Sequence, residues 1–65
     1  MTNHLRELRV AWGLTQAELG QRLGVSRQAV IALESGRHDP SLDLAYRIAA
    51  LFGKPVEAIF ENPHA

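Results

Sequence analysis

The chain has 65 residues, 46% of them apolar, with no cysteine and with seven acidic against seven basic side chains. That length supports one domain, residues 1–65. The absence of cysteine excludes disulfides and thiolate-held metal, which leaves a partner subunit as the staple for so small a fold, and zero net charge argues against a broad cationic surface.

The elements follow in chain order. The first helical segment runs from about Asn3 to Trp12, with Leu5, Leu8 and Trp12 along one face and Gly13 as its stop. The second begins at Thr15, where Thr15-Gln16-Ala17-Glu18 matches a capping box, in which threonine and glutamate each satisfy a free backbone amide. It carries Leu19 and Leu23 on one side and ends at Gly24. The third begins at Ser26, a favoured cap residue, and ends near Gly36. The fourth runs from Ser41 to Gly53, and a short fifth from about Val56 to Glu61, before Asn62-Pro63. No segment alternates as a strand. The fold class is therefore all-α, with five helices.

The fourth segment is unusually apolar. At about 100° per residue, Leu42, Leu44, Ala45, Ile48, Ala49, Leu51 and Phe52 cover an arc of about 180°. Only Asp43, Tyr46, Arg47 and Ala50 face away. Such a helix is central in the domain, covered by a second subunit, or both.

The second and third segments, separated only by Gly24-Val25, make a tight helix pair within residues 15–36, the length of a helix-turn-helix unit. On the third, Ala29, Val30 and Leu33 share the inward face. Gln28, Ile31, Ala32 and Ser35 face outward, with Arg27 beside them and no acid on the arc. Such a surface can approach DNA without repelling phosphate. Arginine matches guanine N7 and O6, glutamine matches adenine N6 and N7, and an apolar side chain meets the thymine methyl. Charge supports this end of the molecule, since residues 1–37 carry +2 and residues 38–65 carry −2. A surface isoleucine alone would mean little, because single exposed apolar residues are ordinary.

Three stretches, Leu14-Thr15-Gln16-Ala17-Glu18-Leu19, Leu23-Gly24-Val25-Ser26-Arg27-Gln28 and Leu33-Glu34-Ser35-Gly36-Arg37, together resemble the Cro and phage-repressor (XRE) family of helix-turn-helix proteins. Pro40-Ser41-Leu42, Ile48-Ala49, Phe52-Gly53 and Ile59-Phe60 continue the resemblance. It implies a five-helix, lambda-repressor-like DNA-binding domain, with the option of short terminal strands at residues 2–4 and 61–63. It implies that Gln16 fixes a phosphate beside the second helix, and that Ser26, Arg27 and Gln28 open the recognition helix, with Arg27 and Gln28 on base edges and Ser26 on the backbone. Ile31 stands where relatives often carry a polar residue, which points to thymine. Ser35, Arg37 and His38 resemble phosphate contacts. Arg9 and Glu34 resemble a buried ion pair tying the first helix to the third.

The expected function is a sequence-specific transcriptional regulator, a repressor acting as a homodimer on a palindromic operator in double-stranded DNA. The dimer surface is expected on the acidic C-terminal half, through Leu51, Val56, Ile59 and Phe60. The alternative is an antitoxin or adaptor on the same fold, since fold does not fix function. Only Asn62 to Ala65 follow the last helix, too little for a toxin-covering arm. Catalysis is not expected: the histidines at 4, 38 and 64 are scattered, and the serines at 26, 35 and 41 sit where capping explains them. No cofactor or metal is expected. No apolar run approaches the ~18 residues of a membrane span, and Met1-Thr2-Asn3-His4 lacks the features of a signal peptide, so a cytoplasmic location is expected.

Overall fold

The computed structural model describes residues 1–64. Five helices follow one another: α1 (Leu5–Ala11), α2 (Gln16–Leu23), α3 (Arg27–Glu34), α4 (Leu42–Phe52) and α5 (Val56–Ile59). α2 packs chiefly on α3 and α4 on α5, while α1 leans on α3 and α2 on α4.

The helix starts follow from side chains that take up free backbone amides. The Thr15 hydroxyl accepts from the Glu18 N–H at 3.0 Å, and the Glu18 carboxylate accepts from the Thr15 N–H at 2.9 Å. Ser26 accepts from Ala29 N–H and Ser41 from Leu44 N–H, each at 3.1 Å. α2 ends at Gly24, whose φ of 73° is the left-handed conformation that costs glycine nothing. The Arg47 guanidinium, from α4, donates to the Leu23 carbonyl at 2.8 Å and so closes the last turn of α2.

The capping box has a pH consequence. The Glu18 carboxyl lies below its ordinary range, chiefly because it accepts the Thr15 N–H, with the Thr15 hydroxyl adding to this. A depressed folded value contributes stability that is complete above the unfolded carboxylate range and is lost as pH falls through the folded one. Glu18→Gln keeps a capping side chain but cannot titrate. It is expected to make the acid limb of the stability–pH curve shallower, as read by urea midpoints from neutral pH downward. An unchanged limb would remove Glu18 from the acid response.

One core draws on all five helices. Leu5, Leu19, Val30, Ile48 and Ile59 are fully buried, joined by Leu14, Leu23, Leu33, Phe52 and Phe60. α4 buries Ala45, Ile48 and Phe52 within this chain, while Leu44, Ala49 and Leu51 are half-buried. Its breadth therefore reflects a central position, but Leu42, inside the expected apolar arc, is 69% exposed. Tyr46 and Ala50 are exposed as well. Trp12 lies just past the end of α1 and meets Phe52 edge-on, with ring centroids 5.0 Å apart.

The termini correct two expectations. α1 begins at Leu5 because Asn3 pairs with Phe60 in an isolated antiparallel bridge. His4 N–H donates to the Ile59 carbonyl at 2.8 Å, and Glu61 N–H to the Thr2 carbonyl at 2.9 Å. Residues 2–4 thus meet residues 59–61 of the same chain, two positions earlier than the expected 61–63. α5 ends at Ile59 because that pairing pulls Phe60 into an extended conformation. Ile59 and Phe60 are 0% and 3% exposed within the chain's own core, so neither presents a side chain to a partner. Among the described residues, no helix is long and apolar enough to cross a membrane.

Candidate nucleic-acid interface

α3 forms a ridge between two grooves. One, of about 550 Å³, lies between α1, the start of α2 and α3, and includes Arg6, Gln16, Arg27, Ile31 and Ser35. The other, of about 500 Å³, lies between α3 and the following loop, and includes Ser26, Gln28, Arg37 and His38. A helix with its side chains is about 10–12 Å across, and the major groove of B-DNA is about 12 Å wide. A ridge of this kind can enter the groove while the flanking troughs meet its two phosphate walls.

Arg27 and Gln28 are both exposed on the first turn of α3, one toward each groove. Neither side chain makes a hydrogen bond or ion pair with another described residue. Ile31 is half-buried on the Arg27 side. Ala32 is 8% exposed and does not belong to the outward face. The chain after α3 folds back on it, and its carbonyl accepts from the Arg37 N–H at 3.1 Å and the His38 N–H at 3.2 Å. Sequence periodicity assigns Ala32 to the outside because a helical wheel carries no information about a returning loop.

The same return fixes the residues expected on phosphate. The Ser35 hydroxyl donates to the Ala32 carbonyl at 3.0 Å, which engages its proton in ending α3. The Ser26 oxygen accepts from Ala29 N–H as a cap, so its own proton stays available to an acceptor outside. The Arg37 and His38 side chains are exposed at the rim of the second groove.

Beneath the first groove lies an ion pair. Arg9 Nε donates to Glu34 Oε2 at 2.6 Å, Nη2 to Oε1 at 3.3 Å, and Nη1 to the Leu14 carbonyl at 2.8 Å. The two side chains are only 12% and 5% exposed. Gln16 Nε2 donates to Glu34 Oε1 at 3.2 Å. The amide expected on phosphate is thus held by the same carboxylate that locks α1 to α3. Its second N–H and its oxygen are left for other contacts.

Gly20 escapes a reading based on helix stops, because it sits inside α2. A methyl group there would lie 2.7 Å from the Val25 carbonyl oxygen. At this position α2 and the turn approach too closely for a side chain. The available signal was a glycine inside an otherwise helical stretch, which often marks close packing.

The comparisons with known proteins agree with this geometry. A family model described as helix-turn-helix matches residues 5–59. A protein of Methanocaldococcus jannaschii named as an uncharacterized HTH-type transcriptional regulator is 52% identical over 60 residues, spanning 92% of this chain and 91% of that protein. The cryptic phage CTXphi transcriptional repressor RstR of Vibrio cholerae is 31% identical over 61 residues, spanning 94% of this chain and 55% of the repressor. The crystal structure of a hypothetical transcription factor from Neisseria superposes with a TM-score of 0.77 at 30% identity, covering 94% of this chain and 70% of that one. The chain belongs to the helix-turn-helix family, and it is a DNA-binding transcriptional regulator rather than an enzyme.

Proposed function

We propose that the chain is a repressor that binds a palindromic operator as a homodimer, reading bases with the first turn of α3. The observation that carries this reading is the pair Arg27 and Gln28, exposed side by side at the tip of a ridge flanked by two grooves. Gln28 reads adenine, Arg27 reads guanine, and Ile31 packs on a thymine methyl. Gln16, Ser26, Arg37 and His38 hold the backbone, and Ser35 contributes by shaping the end of α3. The similarity to a phage repressor supports the sign of regulation. Two copies would place their α3 ridges roughly 34 Å apart, one turn of DNA. The dimer surface lies on the C-terminal half, through the half-buried Leu51 and Val56 or through the opposite, exposed side of α4 that carries Leu42 and Tyr46. This reading places the chain in the cytoplasm, with its DNA.

Two substitutions separate reading from positioning. Gln28→Ala is expected to cost about 1–3 kcal/mol at one base pair of the site and to relax preference there. Arg37→Ala is expected to weaken binding to every sequence and to lower the salt slope by about one. Titration of labelled duplexes at several salt concentrations measures both. Equal losses on all sequences for Gln28→Ala would contradict its base-reading role, and an unchanged slope would remove Arg37 from the phosphate contacts.

A further inference from the structure

We propose that Arg6, on the first turn of α1, is a further phosphate contact, extending the DNA footprint from the helix-turn-helix unit onto α1. The proposal rests on the reading of α3 as the DNA-facing ridge.

Three observations carry it. First, Arg6 is exposed and lines the same groove as Gln16 and Arg27, so it stands across that groove from the recognition helix. Second, its charge is uncommitted among the described residues. Arg9, three positions on, is held by Glu34, and Arg47 is held by Asp43 at 2.8 Å. The acid beside Arg6 on α1, Glu7, is engaged by His4 Nδ1 at 3.0 Å. Third, the acid in the groove, Glu34, is neutralised by Arg9 and capped by Gln16. Among the described residues, the groove therefore holds two guanidinium groups without an ion-pair partner, Arg6 on α1 and Arg27 on α3.

A phosphate at the α1 wall of the groove meets Arg6, while Arg27, on the α3 wall, is left to the bases. A duplex with α3 in its major groove brings one phosphate strand along this side of the helix, and Arg37 serves the opposite strand from the other groove. With zero net charge over the whole chain, affinity rests on a few such contacts, so one more is measurable.

Arg22 provides the internal control. It is also an exposed arginine, but it acts electrostatically on Glu18 and lies outside the groove. The experiment uses the full chain and the duplex that the wild-type protein enriches from a random pool, alongside a scrambled duplex of equal length. Affinities are measured from 50 to 200 mM salt for Arg6→Ala, Arg6→Lys, Arg22→Ala and Arg37→Ala. For Arg6→Ala the affinity loss across that range is expected to be about 3.5-fold smaller than for wild type, because one released counterion is missing. The effect should appear on both duplexes, Arg6→Lys should restore the slope, and Arg22→Ala should match wild type. Unchanged melting of Arg6→Ala confirms that the fold is intact, as expected of an exposed side chain. If Arg37→Ala loses a unit of slope and Arg6→Ala does not, the Arg6 contact is wrong and the α3 reading stands. If the wild type binds neither duplex, both are wrong.

Discussion

Glu34→Ala is expected to bring the net stability close to zero, leaving about half of the protein unfolded. Glu34 accepts from Arg9 at 2.6 Å, and the two side chains are 12% and 5% exposed. The Arg9 guanidinium also donates to the Leu14 carbonyl, in the turn between α1 and α2. One substitution thus removes the acid that, among the described residues, pairs with Arg9, and leaves a largely buried cation behind. Breaking a buried pair in this way costs about 3–5 kcal/mol. A core of this size rarely supplies more than about 3–5 kcal/mol of net stability. The loss therefore matches the whole margin. Removing both charges is different: Arg9→Met with Glu34→Leu fills similar volume with apolar groups and is expected to recover much of the loss. Thermal and urea unfolding followed by circular dichroism measures both. A Glu34→Ala midpoint close to wild type would show that the pair does not hold α1 to α3.

Gly20→Ala is the second large effect, and its sign runs against helix propensity. In an open helix the change would stabilise by about 1 kcal/mol. Here the added methyl would sit 2.7 Å from the Val25 carbonyl oxygen and 3.3 Å from the Ser26 carbonyl carbon and oxygen. All three are backbone atoms, and the Val25 N–H already donates to the Gly20 carbonyl at 2.9 Å. The turn cannot rotate away without breaking that bond. The remaining response is to move α3 away from α2, an overpacking strain of about 1–3 kcal/mol. Because Ser26 starts α3, the same shift re-aims Arg27 and Gln28. Gly20→Ala is therefore expected to lower the unfolding midpoint and to weaken specific DNA binding more than non-specific binding. A variant as stable and as selective as wild type would show that the two helices have room to spare.

The sequence made local features legible and left the non-local ones hidden. Thr15, Ser26 and Ser41 announce helix starts because each cap acts within three residues of itself. The inward face of α3, Val30 and Leu33, follows from a period of one turn. Ala32 does not, because the loop that covers it returns from residues 37 and 38. Arg9 and Glu34 are 25 residues apart, and no periodicity joins them, so their pairing was suggested by family resemblance. Ile59 and Phe60 read as apolar, but their direction depends on the backbone pairing of residues 59–61 with residues 2–4, at the other end of the chain. That pairing turns them inward, and the apolar side chains left exposed are elsewhere, Leu42 and Tyr46 on α4 and Val10 and Trp12 at the end of α1. Gly20 looked like an interruption because its role is defined by the backbone of the next turn.

The most direct test of the account is selection of bound duplexes from a random pool by the wild-type chain, repeated with Gln28→Ala. The expected result is a palindromic consensus whose half-sites lie one helical turn apart, about 10–10.5 base pairs centre to centre. Gln28→Ala is expected to erase preference at one symmetric pair of positions and to leave the rest of the consensus in place. A pool that remains random, or a consensus that Gln28→Ala leaves unchanged at every position, would contradict the assignment of base reading to the first turn of α3.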